Sequence, residues 1–125
     1  MPRTFHAFIV ASTTIIILGA LVVTRTTGPI LFAFGAIDAV ALAMGGTGLM
    51  ITSLVRQRLP APSGDRDAWW QLNLGRVILI WVFYEVPAVL GAITLKATRH
   101  APAFLVLAVV ALAGLIRARP ARLAR

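Results

Sequence analysis

The sequence predicts an all-α integral membrane protein with four transmembrane helices. Three observations carry this expectation. Of the 125 residues, 59% are apolar and only 13% are charged, against about 45–50% and about 25% in an average soluble domain. The apolar residues gather in four long runs. The twelve Lys and Arg residues lie almost entirely between or beyond those runs. The composition excludes a soluble globule and a disordered tail. The lack of cysteine excludes a secreted disulfide scaffold.

The spans are expected at residues 5–23, 30–55, 77–95 and 103–116 of a single domain, 1–125. A helix needs about 20 apolar residues to cross a bilayer, with a range of about 17–25. The first and third runs fit. The first could instead be a signal peptide, since Arg3 precedes an apolar core. It lacks a small-x-small cleavage site and is long for such a core, so retention is expected. The second run is long and must tilt or bend, which Gly35, Gly45, Gly46 and Gly48 allow. The fourth is short and relies on snorkelling arginines at its end.

The net charge of +8 would suit a nucleic-acid binder, but such proteins carry a basic face on a soluble fold. Here the basic residues read as topology signals, with the bilayer rather than nucleic acid as partner. With four spans, Arg3, Arg56, Arg58, Arg66, Arg76, Arg117, Arg119, Arg122 and Arg125 share one side. Arg25, Lys96 and Arg99 take the other. The bias places both termini in the cytoplasm of a cell inner membrane. The cytoplasmic loop, residues 56–76, holds the breakers Pro60, Pro62, Ser63 and Gly64, then Asp65 and Asp67, then Trp69 and Trp70. The two tryptophans are expected as an interfacial anchor of the third span, with a partner-docking surface as the alternative.

An internal repeat relates the two halves. Leu18-Gly19-Ala20-Leu21 aligns with Leu90-Gly91-Ala92-Ile93, and Leu54-Val55-Arg56-Gln57-Arg58 with Leu115-Ile116-Arg117-Ala118-Arg119. Both matches preserve membrane direction, as two parallel helical hairpins about an axis along the membrane normal would require. Chance similarity among Leu-, Val- and Ala-rich helices is the alternative.

Only four acids occur, and two of them, Asp38 and Glu85, lie inside expected spans. A carboxylate in hydrocarbon is costly and usually faces a bundle interior with a function. At about 1.5 Å per residue, both fall near mid-bilayer, with Thr13 and Thr14 at a similar level. If the helices meet, Glu85, Asp38 and Thr13 could surround one cation or share one proton. Pro87 deprives the Phe83 carbonyl of its helical donor, which suits an ion site or a plain kink. The alternative role of both acids is interhelical glue, with Asp38 bonding across a contact built on small residues. Gly45, Gly46 and Gly91 are expected to pack helices closely. His6 and His100 flank spans at opposite interfaces without partners at metal spacing, so no metal site is expected. No nucleophile–base pairing or phosphate loop marks an enzyme.

The strip from the second into the third span resembles the rotor-ring c subunit, or proteolipid, of rotary ATP synthases. In that family a small-residue helix leads to a cytoplasmic loop carrying an Arg-Gln pair. The next helix bears a mid-membrane carboxylate with a glycine six residues on. Here Gly45, Gly46 and Gly48 precede Arg56-Gln57, and Gly91 follows Glu85 by six. The resemblance implies that Glu85 binds a proton or Na+. Four-helix members of the V type can lose the acid of one hairpin, and Thr13 stands at the repeat position of Glu85. The chain departs from the family in its longer loop with Trp69-Trp70, its looser glycine set, and an acid-bearing helix that would lead its hairpin. Small multidrug-resistance transporters are similar in size. They place their key Glu in the first helix, where this chain has Ser12-Thr13-Thr14.

These readings lead to one expectation and one alternative. The first is a proton- or cation-binding membrane subunit centred on Glu85, working as a homo-oligomer or within a larger membrane complex. The alternative is a non-catalytic structural or accessory subunit whose buried acids only join helices.

Overall fold

The computed structural model describes residues 2–60 and 64–120. Arg122, Arg125, Pro62 and Ser63 therefore lie outside the described residues. The described residues form four helices: α1 (Pro2–Thr27), α2 (Ala36–Gln57), α3 (Arg66–Thr98) and α4 (Ala101–Arg117). The first three are long and apolar enough to cross a membrane, and α4 is a shorter apolar helix. At about 1.5 Å per residue, α4 extends about 25 Å.

Local chemistry sets the helix ends. Asp65 caps α3 by accepting from the Asp67 amide at 3.0 Å, satisfying one of the free donors of the first turn. Its position moves the helix start well upstream of the expected Val77. Residues 66–76, read as loop from their polarity, are therefore the first three turns of α3. The second helix departs in the opposite sense. It begins at Ala36, six residues after the expected start at Ile30. Pro29 disfavours a helical Gly28, whose φ is +156°. The apolar residues after it run as a connector instead. Leu31 pairs with the α3–α4 turn through Leu31 N to Arg99 O at 2.7 Å and Ala101 N to Leu31 O at 2.8 Å.

Side-chain pairings fix the helix directions. His6 of α1 stacks near Trp81 of α3, with ring centroids 5.0 Å apart. Ser12 meets Glu85, and Thr24 meets Arg99, so α1 runs parallel to α3. Asp38 meets His100, and the Arg56 guanidinium meets the Arg117 carbonyl, so α2 runs parallel to α4. Residues aligned by the sequence repeat therefore sit at nearly the same level. The packing does not repeat in the same way. α3 contacts all three other helices and packs most closely on α4, whereas α1 and α2 hardly touch. A packed first hairpin is thus absent, because α3 and α4 lie between its members.

The core lies on the α3–α4 seam. Val77, Ile80, Trp81, Ala88 and Leu95 face Ala103, Phe104, Ala111 and Leu115, all fully buried or nearly so. Gly91 sets the closeness of approach. A Cβ there would stand 3.2 Å from Leu107 Cβ and 3.3 Å from the Phe104 carbonyl oxygen. Gly45 likewise abuts the tip of Leu107. Gly46 does not: a Cβ there would meet nothing within 4 Å, so within one chain it packs against no other helix. The two residues project about 100° apart around the helix, so only one can face α4. Trp69 departs from the expected interfacial anchor. It is buried in the cluster of Ile9, Val77 and Trp81, and its indole N–H donates to the Pro60 carbonyl at 2.9 Å.

The outer surface is apolar. Phe8 and Ile15 are each 70% exposed, and with Val22 they repeat every seven residues along α1. Met50 and Leu54 on α2 and Val109 on α4 are also exposed. Thr13, Asp38, Thr52 and Asn73 are buried instead. Polar groups inside and large apolar side chains outside suit an apolar solvent.

Candidate functional site

Two polar stations interrupt the apolar helices. The first lies on the α1–α3 seam. Glu85 is half-buried, and its Oε1 accepts from the Ser12 hydroxyl at 3.1 Å. The expected helper Thr13 is adjacent in sequence but points elsewhere. Successive helical side chains project about 100° apart, so Ser12 and Thr13 cannot both face Glu85. Thr13 is fully buried, and its hydroxyl has no hydrogen-bond partner among the described residues. Thr14 donates back to the Val10 carbonyl at 2.8 Å. Pro87 lies two residues beyond Glu85, buried inside α3.

The second station closes the end of the bundle at which the connector crosses. Asp38, with no exposed surface, occupies the first turn of α2. Its Oδ2 accepts from the Gly35 amide at 2.8 Å and from His100 Nδ1 at 2.5 Å. A carboxylate at this position satisfies a free amide and complements the positive end of the helix. Its Oδ1 is buried without a hydrogen-bond partner. His100 is itself the N-cap residue of α4, so one side-chain contact joins the starts of α2 and α4. Arg99 beside it is left-handed, with φ 62°. Its guanidinium donates to the carbonyl of Pro29 at 2.8 Å, to the Thr27 hydroxyl at 3.1 Å and to the Thr24 carbonyl. These contacts fasten the last turn of α1 and the connector onto the α3–α4 turn.

The two stations are separate. His100 follows the end of α3, and Glu85 lies thirteen residues before that end at Thr98. At about 1.5 Å per residue, the two carboxyls stand about 20 Å apart along the axis. Direct or single-water contact is lost at such a distance. The expected shared site of Glu85, Asp38 and Thr13 is therefore not formed. Asp38 sits at a helix start because α2 begins six residues later than hydropathy alone suggests.

No family model, curated protein or solved structure matches the chain. Sequence reasoning overlooked Ser12, His100 and Arg99. A partner for His100 was sought at short sequence spacing, but its acid lies 62 residues away. The available clue was partial: His100 and the start of the second span share the expected outer side, but Asp38 was expected near mid-bilayer.

Proposed function

We propose that this chain is a small multispanning membrane protein in which Glu85 binds a proton or a small cation such as Na+. In this reading it acts as a subunit of a homo-oligomer or larger membrane complex. The observation that carries the reading is a half-buried carboxylate held by a single hydroxyl on an apolar helix long enough to span a bilayer. Glu85 lies eight residues beyond Val77 and ten before Leu95, so an apolar segment of either sense flanks it by about 12–15 Å. A carboxyl at that depth is costly unless it is neutralised by a proton, a cation or a partner group. Its Oε2 remains available, and Pro87 leaves the nearby Phe83 carbonyl without its helical donor. The incomplete burial of Glu85 in one chain is the reason to invoke a second copy or a larger partner. The nine-to-three division of basic residues supports an inner-membrane location with both termini cytoplasmic. The resemblance to rotor-ring c subunits points to the same residue.

A second reading is supported by the Ser12–Glu85 hydrogen bond. In it, Glu85 is interhelical glue between α1 and α3, and the chain is a structural or accessory subunit. The two readings diverge on Glu85→Gln, which keeps size and hydrogen bonding but removes titration. Proton or Na+ binding by the full chain in vesicles should be lost in Glu85→Gln with folding intact. Unchanged ion dependence would leave the glue reading.

A further inference from the structure

A cleft opens at the end of the bundle opposite the connector, where α2, α3 and α4 meet. It has a volume of about 390 Å³ and is lined by Leu49, Ser53, Arg56, Tyr84, Val110, Ala113, Gly114 and Arg117. Ligand clefts typically fall in the range of about 300–1,000 Å³. Its polar and apolar parts are segregated by position along the helices. Arg56 and Arg117 occupy the last turns of α2 and α4. Leu49 and Val110 each lie seven residues, about two turns, farther into the apolar region. Ser53 adds a hydroxyl between them, and Gln57 and Tyr84 border a second opening beside the same arginine.

The charge in this cleft is one-sided. Of the four acids in the chain, none lines it. Arg56 spends one donor on the Arg117 carbonyl, at 3.0 Å. A guanidinium has five N–H donors, so most of its capacity remains. This contact places the Arg56 guanidinium directly at the C-terminal turn of α4. Two arginines at the ends of two parallel helices thus face an apolar trough. Paired guanidiniums match phosphate oxygens, and the trough matches a hydrocarbon chain.

We propose that the Arg56–Arg117 cleft is a binding site for an anionic phospholipid, with the headgroup phosphate on the two arginines and an acyl chain against Leu49 and Val110. Basic pockets between transmembrane helices are used in this way elsewhere. The inference rests on the membrane reading but is independent of ion binding at Glu85. It gives the inner-side arginines a role beyond topology, since a topology signal needs only charge and not a cleft. Ser53, one turn from Arg56, then serves as a headgroup or glycerol contact, and Tyr84 forms part of the inner wall of the cleft.

Native mass spectrometry of the full chain, released from detergent after incubation with phosphatidylglycerol or phosphatidylcholine, tests the site. The wild type should retain phosphatidylglycerol about 30-fold more strongly, from about 1 kcal/mol for each arginine. Arg56→Gln with Arg117→Gln should remove that preference, whereas Arg3→Gln with Arg66→Gln removes equal charge elsewhere and should keep it. Ser53→Phe, which fills the cleft while keeping both arginines, should also weaken retention. Excess inorganic phosphate should leave the lipid bound. Displacement by inorganic phosphate would overturn the lipid assignment, as would equal retention of both lipids or equal loss in the two double variants. Alkaline carbonate extraction separates the premises. A chain released to the aqueous fraction defeats the membrane reading itself, and an embedded chain without lipid preference defeats only this site.

Discussion

Helices α3 and α4 are joined by Arg99 and His100 alone and bury their facing sides against each other. Helices α1 and α2 are joined by residues 28–35 and hardly touch. Yet the two halves align in sequence, and aligned residues stand at nearly equal heights. The difference teaches that a repeated hydropathy pattern sets the level of each residue without setting its neighbours. Neighbours are decided by the width of the helix face and the length of the link. Gly91 lets α3 approach α4 closely, whereas its repeat mate Gly19 would meet nothing within 4 Å if it carried a Cβ. The helices of the first half are therefore held by α3 rather than by each other, and Asp38–His100 and Arg99 add specific bonds at one end. The second half is held along its length by contact.

The largest expected effect comes from the glycine pair. Gly91→Val should destabilise the fold by about 3 kcal/mol, because the backbone of Phe104 cannot yield as a side-chain tip would. Gly19→Val should leave thermal stability of the solubilised chain within about 0.5 kcal/mol. Similar losses at both positions would restore a symmetric pair of hairpins. A loss confined to Gly91 in stability, with Gly19→Val reducing oligomer in membranes, would show that the open face of α1 meets a second copy.

The bonds that moor the first half come next. Asp38→Ala removes the acceptor for Gly35 and His100 and should cost about 2 kcal/mol, combining a cap with a charge-assisted hydrogen bond. His100→Ala should account for much of that loss, and the double variant should cost less than the sum of the two. Full additivity, measured by thermal unfolding in detergent, would show that the 2.5 Å contact carries no coupling. Arg99 offers a finer test. Arg99→Ala loses three hydrogen bonds while keeping an unfavourable left-handed residue. Arg99→Gly loses the same bonds but relieves the backbone, so it should be about 1 kcal/mol more stable than Arg99→Ala. The smallest effect belongs to Gly46→Ala. The site is exposed and open within a helix, so stability should rise by about 0.5–1 kcal/mol. A decrease would mean that another surface covers this face of α2.

Much of the helical architecture was legible from hydropathy. α1 and α4 extend only a few residues beyond their expected spans, because apolar runs and flanking charges mark both edges. The boundaries of α2 and α3 were less legible. Hydropathy does not distinguish an apolar helix from the apolar connector at Ile30–Phe34, although Pro29 and Gly35 were turn signals. Polarity likewise hid the start of α3, while Asp65 followed by a helix-compatible run was a capping signal. Glu85 was legible as an acid within an apolar run. Its partner was not, since Thr13 and Ser12 differ by one position, which on a helix decides the side on which a hydroxyl emerges. Asp38 was legible as unusual, but its depth depended on a helix start that hydropathy misplaced.

The most direct test of the central claim is carbodiimide labelling of Glu85 in intact membranes. Carbodiimides react with protonated carboxyls in apolar surroundings, so the account expects modification at Glu85 rather than at the fully buried Asp38. Labelling should be abolished in Glu85→Gln and slowed by a bound cation if the site takes Na+. An unlabelled Glu85 in membranes where the chain is folded and embedded would contradict it.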